Sequence, residues 1–373
     1  MNVYLRGVAA ALARLGYEVE LLTRAADAAD TGRIEHVDGT TVRFLAAGPA
    51  APVAKENLTD VVDEFRRALA SCGPYNIVHS HYWLSGMAAL PVARAQGAPH
   101  VLSLHTVAAV KNARLAPGDR PEPAERLDAE RSLIRGSDAV VASTDAEREA
   151  IAAAGEVEAS RVVVIPPGVD TTLFHPADAD AGPTGPRYLL MVGRIQPLKA
   201  QDLAIAALAL IPAATRPLLV FAGDTSGPND RYREALDRAV DGAGLGAWVR
   251  FAGPLPRDEL ARTMRGAAAL LVPSHSETYG LVTLEAAASG VPVVAARTAG
   301  LVDAVIDGRT GILVDSRDPS EWARAITSLL SDPDRIARLS ASAAAYGAGM
   351  GWDRTAALTA TLYDRLTTGR SRP

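Results

Sequence analysis

Tyr188-Leu189-Leu190-Met191-Val192-Gly193-Arg194-Ile195-Gln196-Pro197-Leu198-Lys199 is an apolar run that stops at a glycine and then delivers two fixed cations. A short run without polar alternation reads as a strand covered on both faces, as in a parallel sheet. The turn after such a strand is where a doubly wound sheet presents its ligands. Arg194 and Lys199 there would suit a diphosphate. Solvated surface cations are the ordinary alternative, and the pair alone does not decide between them.

The pattern repeats outward from that stretch. Downstream, strand candidates fall at Leu218–Ala222, Val249–Phe251, Ala269–Val272, Val291–Ala295 and Gly311–Val314, with helical segments between. Upstream they fall at Glu18–Thr23, Thr41–Ala46, Asn76–His79, His100–Leu104, Ala139–Ala142 and Val162–Ile165, with helical patterns such as Leu58–Leu69 and Glu125–Ile134. Strands alternating with helices predict an α/β protein built on parallel sheets. Pro166, Pro167, Gly168, Pro176, Gly182, Pro183, Gly185 and Pro186 cluster between the two series, and that turn chemistry marks a linker. The expected division is an N-terminal Rossmann-like domain over 1–170, a linker over 171–186 and a second Rossmann-like domain over 187–350. A helical tail over 351–373 is expected to cross back to the first domain. Two such domains would face each other across a cleft.

Within the second domain, Ser274-His275-Ser276-Glu277-Thr278-Tyr279-Gly280-Leu281-Val282-Thr283-Leu284-Glu285-Ala286 holds two glutamates eight residues apart around a glycine that opens a helix. Gly280 lets the backbone approach a ligand, and the helix from Leu281 offers free N–H groups to an anion. Glu285 falls about two helical turns beyond Glu277, so both could lie over one ligand. Carboxylates suit the hydroxyls of a sugar and a ribose. Together with Arg194 and Lys199 they describe a nucleotide-sugar site.

The 373 residues are 48% hydrophobic and 22% charged, ordinary for a globular protein with room for two cores. A net charge of −5 argues against nucleic acid, so an anionic ligand must be held by local cations. Cys72 is the single cysteine, which excludes a disulfide framework and a cysteine-rich zinc site and fits a reducing cytoplasm. No apolar stretch is long enough to span a bilayer. Met1-Asn2-Val3-Tyr4 runs directly into a helical pattern, which does not read as a secretion leader.

Two polar segments end apolar strands in the first half: His79-Ser80-His81-Tyr82-Trp83-Leu84-Ser85-Gly86 and Leu104-His105-Thr106-Val107-Ala108-Ala109-Val110-Lys111-Asn112. The paired histidines lack a nearby acidic or cysteine partner, so a metal is not expected there. Either segment reads as a packed βα turn or as the wall of an acceptor site.

These segments, with Pro121-Glu122-Pro123 and Pro167-Gly168-Val169-Asp170, resemble the GT-B family of retaining glycosyltransferases that includes sucrose-phosphate synthase, glycosyltransferase family 4. Within it the resemblance is to the branch that glycosylates D-inositol 3-phosphate in mycothiol biosynthesis, and it runs from Met1 to about Leu366. The resemblance implies UDP-GlcNAc on the second domain, with Arg194 and Lys199 on the diphosphate, Glu277 on the sugar, Glu285 on the ribose and uracil near the backbone of Leu255. Gly280 and Leu281 complete the donor set. His105 would stand beside the sugar hydroxymethyl, which makes His105, Arg194, Lys199 and Glu277 the catalytic set. Lys55, Tyr82, Thr106 and Arg126 would bind the phosphate of the acceptor, and Asn2 its cyclitol ring. No cofactor is implied for the chemistry. A structural magnesium is implied on main-chain oxygens of Met264, Arg265, Ala267 and Val291. A homodimer is compatible with the family.

Two departures stand out. Thr278-Tyr279 replaces the family's usual Ser-Phe. The family also carries a strand and a Gly-Gly pair ahead of its Met-Asn-Val-Tyr, where this sequence has Met1 first. The expectation is a first domain lacking a central strand, with the natural start upstream; the alternative is a variant whose sheet closes without it. Two other activities fit the motifs: transfer to an aminocyclitol such as 2-deoxystreptamine, and a GT-B UDP-GlcNAc 2-epimerase. The epimerase would need acid and base carboxylates at C2 and no acceptor pocket.

Overall fold

The computed structural model describes residues 2–113, 115, 120–177, 188–225 and 230–368. Met1, residues 178–186 of the expected linker, residues 369–373 of the expected tail and the side chain of Lys55 lie outside the described residues. The chain divides into two compact units. Of the described residues, the first holds those up to Ala113, Glu122–Gly168 and Trp352–Thr368; the second holds 115, 120, 121 and those of Val169–Gly351.

The first unit runs α1 (Asn2–Arg14), β1 (Glu20–Arg24), β2 (Ile34–Val37), β3 (Thr40–Leu45), α2 (Val62–Ala70) and β4 (Val78–His81). It continues with α3 (Trp83–Gln96), β5 (His100–Ser103), α4 (Ala108–Ala113), α5 (Ala124–Gly136), β6 (Ala139–Ala142), α6 (Asp145–Gly155) and β7 (Val162–Val164). The second unit runs β8 (Tyr188–Val192), α7 (Gln201–Leu210), β9 (Leu219–Ala222), α8 (Asp230–Gly242), β10 (Val249–Gly253), α9 (Arg257–Gly266) and β11 (Ala267–Val272). After these come α10 (Leu281–Ala288), β12 (Val293–Ala296), α11 (Ala299–Ala304), β13 (Gly311–Val314), α12 (Pro319–Leu330) and α13 (Pro333–Ala348). The last helix, α14 (Trp352–Thr368), belongs to the first unit.

In the second unit six parallel strands lie in the order β10-β9-β8-β11-β12-β13. That order reverses between β8 and β11, the switch point at which open α/β sheets bind ligands. The uninterrupted apolar run of β8 follows from burial on both faces. Leu189 and Met191 pack with Phe221, Leu271 and Trp322 on one side, and Leu190 with Val220, Leu270 and Val293 on the other. Each such side chain contributes about 1.5–3 kcal/mol on leaving water.

The first unit differs from the all-parallel expectation in two ways. β2 pairs antiparallel with β3 across Asp38-Gly39, both with positive φ, 51° and 75°. A two-residue loop of that conformation matches the twist of the strands it joins, and Asp-Gly is its sequence signal. The second difference is a divided sheet: β1-β3-β2 forms one piece and β4-β5-β6-β7 the other. Among the described residues β1 pairs only with β3 and β4 only with β5, so the sheet does not close between β1 and β4. A shared apolar cluster nevertheless spans the division, with Leu22, Leu45 and Val78 from the strands and Leu69, Ala89 and Val92 from α2 and α3. The expected helix over 58–69 begins as a 3₁₀ turn, Lys55–Val61, and becomes α-helical only at Val62.

On the opposite side α14 packs along α1. The Trp352 indole fills the space a side chain at Gly7 would need, with its nearest ring atom 2.3 Å from where a Cβ would stand. Arg14 reaches Asp353 and the Tyr17 hydroxyl donates to Asp364 at 2.8 Å. Thr355 Oγ1 donates to the Pro166 carbonyl at 3.0 Å, which fixes the start of the helix to the end of β7's loop.

Candidate active site

The second unit gathers its charged groups at the switch point. Gly193 ends β8 with φ 146°, and Gly223 ends β9 with φ 150°. A Cβ at Gly223 would lie 2.0 Å from the Gly193 carbonyl oxygen, so the two strand ends meet only because residue 223 is glycine. Beyond Gly193 the buried Ile195 anchors the loop, its amide donating to the Asp224 carbonyl at 2.9 Å. Arg194 is exposed, and its carbonyl is held by the Gln201 side chain at 2.9 Å. A 3₁₀ turn over Pro197–Lys199 ends on Ala200 with φ 55°.

Lys199 Nζ pairs with Glu277 Oε1. Ser274 Oγ donates to the same oxygen at 3.1 Å, and the His275 amide donates to the Leu198 carbonyl at 2.9 Å. The loop after β8 and the loop after β11 are therefore tied together by backbone and by charge. Gly300 makes room for that arrangement: a Cβ there would come within 2.2 Å of the Thr278 carbonyl oxygen.

The E-x7-E element does not lie along one helix. Gly280 is left-handed at φ 78°, caps α10 and breaks the helix on its N-terminal side. Glu277 stays in the loop with some exposure, whereas Glu285 sits inside α10 at 6% exposure. Tyr279 is buried against Leu284 and Ala304 and serves the core. Leu281 opens α10, while the half-buried Leu255 packs beside the start of α9. Glu285 Oε1 is 2.6 Å from Arg257 Nη1, a residue the sequence did not single out. Burial pushes the Glu285 carboxyl above its ordinary range, and Arg257 pulls against that shift.

The implied magnesium ligands lie where α9 passes into β11 and just before β12. The Met264 carbonyl there already accepts the Ala267 amide, and Arg265 donates to the Leu173 carbonyl at 3.0 Å. Four neutral carbonyls without a carboxylate are a weak donor set for magnesium. Among the described residues no three His, Cys, Asp or Glu side chains cluster to hold one.

In the first unit His79, His81 and His105 form a row. The rings of His79 and His81 stack at 4.2 Å between centroids, those of His81 and His105 at 5.2 Å. His81 Nδ1 and His105 Nε2 are 2.9 Å apart, so one donates to the other. His79 is held by the Tyr363 hydroxyl at 2.7 Å and by Ser103 Oγ at 2.9 Å, and Tyr4 meets His105 edge-on at 5.0 Å. His105 and Tyr82 both have positive φ, 60° and 81°, a conformation that costs a non-glycine residue about 1–3 kcal/mol. Tyr82 directly follows the end of β4, and His105 lies one residue further beyond the end of β5.

Tyr82, Thr106 and Arg126 come together. Arg126 lies 5.0 Å beneath the Tyr82 ring, and its Nη2 donates to Thr106 Oγ1 at 2.9 Å and to the Thr106 carbonyl at 3.0 Å. Its Nε meets Glu130 at 2.7 Å, and its Nη1 meets Glu122 at 2.9 Å. Lys111 also pairs with Glu122, at 2.5 Å. The two cations and two carboxylates of this corner cancel. The spacing Glu122, Arg126, Glu130 along α5 and the residues just before it puts all three on one face, a signal visible in the sequence. Asn2 is the first residue of α1, and Lys55 opens the 3₁₀ turn.

Because Arg126 is 2% exposed and neutralises two buried carboxylates, Arg126→Ala should destabilise the first unit by about 3–5 kcal/mol. A melting temperature lowered by roughly 6–20 °C is expected, with recovery in the Arg126→Met, Glu122→Gln, Glu130→Gln triple variant. An Arg126→Ala protein that melts with the wild type would contradict this.

Comparison with known proteins agrees over the whole chain. The family described as Glycosyl transferases group 1 matches residues 178–346, and the Glycosyl transferase 4-like domain matches residues 1–168. The chain is 40% identical to D-inositol 3-phosphate glycosyltransferase of Kineococcus radiotolerans, over 100% of this chain and 91% of that protein. It is 42% identical to the protein of the same name from Frankia alni, over 95% and 92%. Among solved structures it is similar to sucrose-phosphate synthase from Thermosynechococcus elongatus, with TM-score 0.89, 29% identity, and 99% and 94% of the two chains covered. HepE of Anabaena in complex with UDP is similar in fold, with TM-score 0.73 and 20% identity over 94% and 100%. The fold is GT-B. Among the described residues no helix is long and apolar enough to cross a membrane.

Proposed function

The chain belongs to the group 1 glycosyl transferases, and on that premise we propose that it moves N-acetylglucosamine from UDP-GlcNAc to 1D-myo-inositol 3-phosphate with retention at the anomeric carbon. The observation that carries the acceptor is the full-length similarity to proteins named D-inositol 3-phosphate glycosyltransferase. The donor rests on the chemistry of the switch point, where Arg194, Lys199 and the N-terminus of α10 offer positive potential to a diphosphate and Glu277 and Glu285 offer acceptors to hydroxyls.

Glu277 is engaged by Lys199 and Ser274 and is assigned to the sugar hydroxyls, and with that assignment the route is front-face. The leaving β-phosphate of UDP takes the proton of the acceptor hydroxyl as that oxygen bonds to the anomeric carbon and the bond to UDP breaks. Positive charge develops on the sugar ring and negative charge on the diphosphate. Lys199 and Arg194 act on the latter, a preorganised electrostatic stabilisation. Lys199 and Glu277 neutralise each other. Donor binding gives Lys199 to the diphosphate and frees Glu277 for the sugar.

The electroneutral Arg126 corner favours a second reading, transfer to an uncharged or cationic cyclitol such as 2-deoxystreptamine. A phosphate there would meet no surplus positive charge from Arg126 and Lys111. Product formation should be measured with UDP-GlcNAc and UDP-glucose, each against inositol 3-phosphate, inositol and 2-deoxystreptamine. Turnover confined to UDP-GlcNAc with inositol 3-phosphate, giving an α-linked product by NMR, is expected. Preference for 2-deoxystreptamine would replace the acceptor, and a β-linked product would overturn retention.

A further inference from the structure

We infer that Arg257 is a positioning residue for Glu285, and that it thereby sets the preference of the site for a nucleotide bearing ribose hydroxyls. The inference rests on the proposed contact of Glu285 with the ribose. Arg257 is the first residue of α9 and reaches α10, 28 residues on, to place Nη1 2.6 Å from Glu285 Oε1. Its guanidinium lies 4.8 Å from the centroid of Phe174, a fully buried ring that holds it from the other side. A cation fixed by an aromatic ring and a carboxylate has little freedom, so the carboxylate is fixed too.

The hydrogen bond engages one carboxylate oxygen. Oε2 remains as an acceptor whose direction Arg257 determines. Arg257 also stands two residues beyond Leu255, beside which the resemblance puts the base. From the other elements packed on α10, α13 brings Tyr346 and Gly347, and residues 169–174 bring Val169 and Phe174. Arg257 is thus the cation that the structure sets against a carboxylate buried in apolar surroundings. Without it the carboxyl would take up a proton, as burial favours. A neutral carboxyl makes hydrogen bonds of about half the strength of those to a carboxylate. The ribose hydroxyls would then be read weakly, while the diphosphate contacts would stay unchanged.

The test compares UDP with 2′,3′-dideoxy-UDP by calorimetry on the full chain. Wild type should prefer UDP by about tenfold or more, the scale of a charge-assisted hydrogen bond. Arg257→Gln and Glu285→Gln should each cut a tenfold preference to about threefold, since about half the hydrogen-bond strength remains, and the double variant should lose nothing further. Arg257→Lys, which keeps the charge at a different reach, should restore part of the ratio and carries the test if Arg257→Gln melts too low to titrate. If Glu285→Gln cuts the preference while Arg257→Gln and Arg257→Lys keep the wild-type ratio, Arg257 does not position Glu285. If Glu285→Gln keeps the ratio, the ribose contact itself is wrong and the inference falls with it. Absence of UDP binding to wild type would instead refute the nucleotide-sugar reading.

Discussion

Lys199→Ala is expected to lower kcat about 10²–10³-fold, the cost of removing one preorganised donor from developing anionic charge. The donor KM should change much less, because the cation acts mainly on charge that grows as the diphosphate departs. The structure adds a second consequence. Glu277 keeps only 13% side-chain exposure and would lose its ion-pair partner, retaining Ser274 Oγ at 3.1 Å. Glu277→Gln in the same background should therefore recover folding stability without recovering turnover. Steady-state kinetics with a melting curve on each variant separates the two effects. A Lys199→Ala enzyme with wild-type kcat would remove Lys199 from the proposed mechanism.

The protein is also expected to lose stability steeply as pH falls below about 6.5. Burial pushes four histidines of the first unit down: His79 to about 3, His100 and His105 to about 4, and His81 well below its ordinary value. In the unfolded chain each takes up its proton near pH 6.5, whereas in the folded chain it stays neutral until the pH approaches its lowered value. Between those limits the unfolded state binds more protons, so acid favours unfolding. The slope is about 1.4 kcal/mol per pH unit for each fully affected residue. All four stay neutral in the folded chain down to pH 5 and contribute together, His100 from a wholly buried place between Ser80 and Ser137. The stability is fully present above the unfolded pKa and declines through pH 6 and 5, before most carboxylates titrate. Urea midpoints measured from pH 7.5 to 5 read this directly. A flat profile across that range would mean that these four histidines are not held neutral by burial.

Much of the fold was legible because its signals are local. β6, β8 and β13 stand at the limits read from the sequence, since each is a short apolar run with turn residues on both sides. β11 begins two residues earlier than expected and β12 two residues later. Strand ends depend on which neighbour pairs with them, as in the register shift between β8 and β11 near Ala267. The hairpin at Asp38-Gly39 carried a readable signal that the parallel pattern overshadowed. For the candidate site, the sequence delivered residue types and their proximity to strand ends, which is enough to name Arg194, Lys199, Glu277 and Glu285.

The partners of those residues were not legible. Lys199 and Glu277 are 78 residues apart, and they meet because the chain reverses its strand order between β8 and β11. Arg257 had no motif to mark it; only the packing of α9 beside α10 brings it to Glu285. Sequence determined the alternation of strand and helix, the glycines at the turns and the charges available at strand ends, because propensity, turn conformation and short spacing are properties of neighbouring residues. Tertiary structure decided which charges neutralise each other, which histidines stay neutral and where the first unit's sheet divides. Those outcomes depend on burial and on pairing between distant segments, and neither exists until the chain has folded.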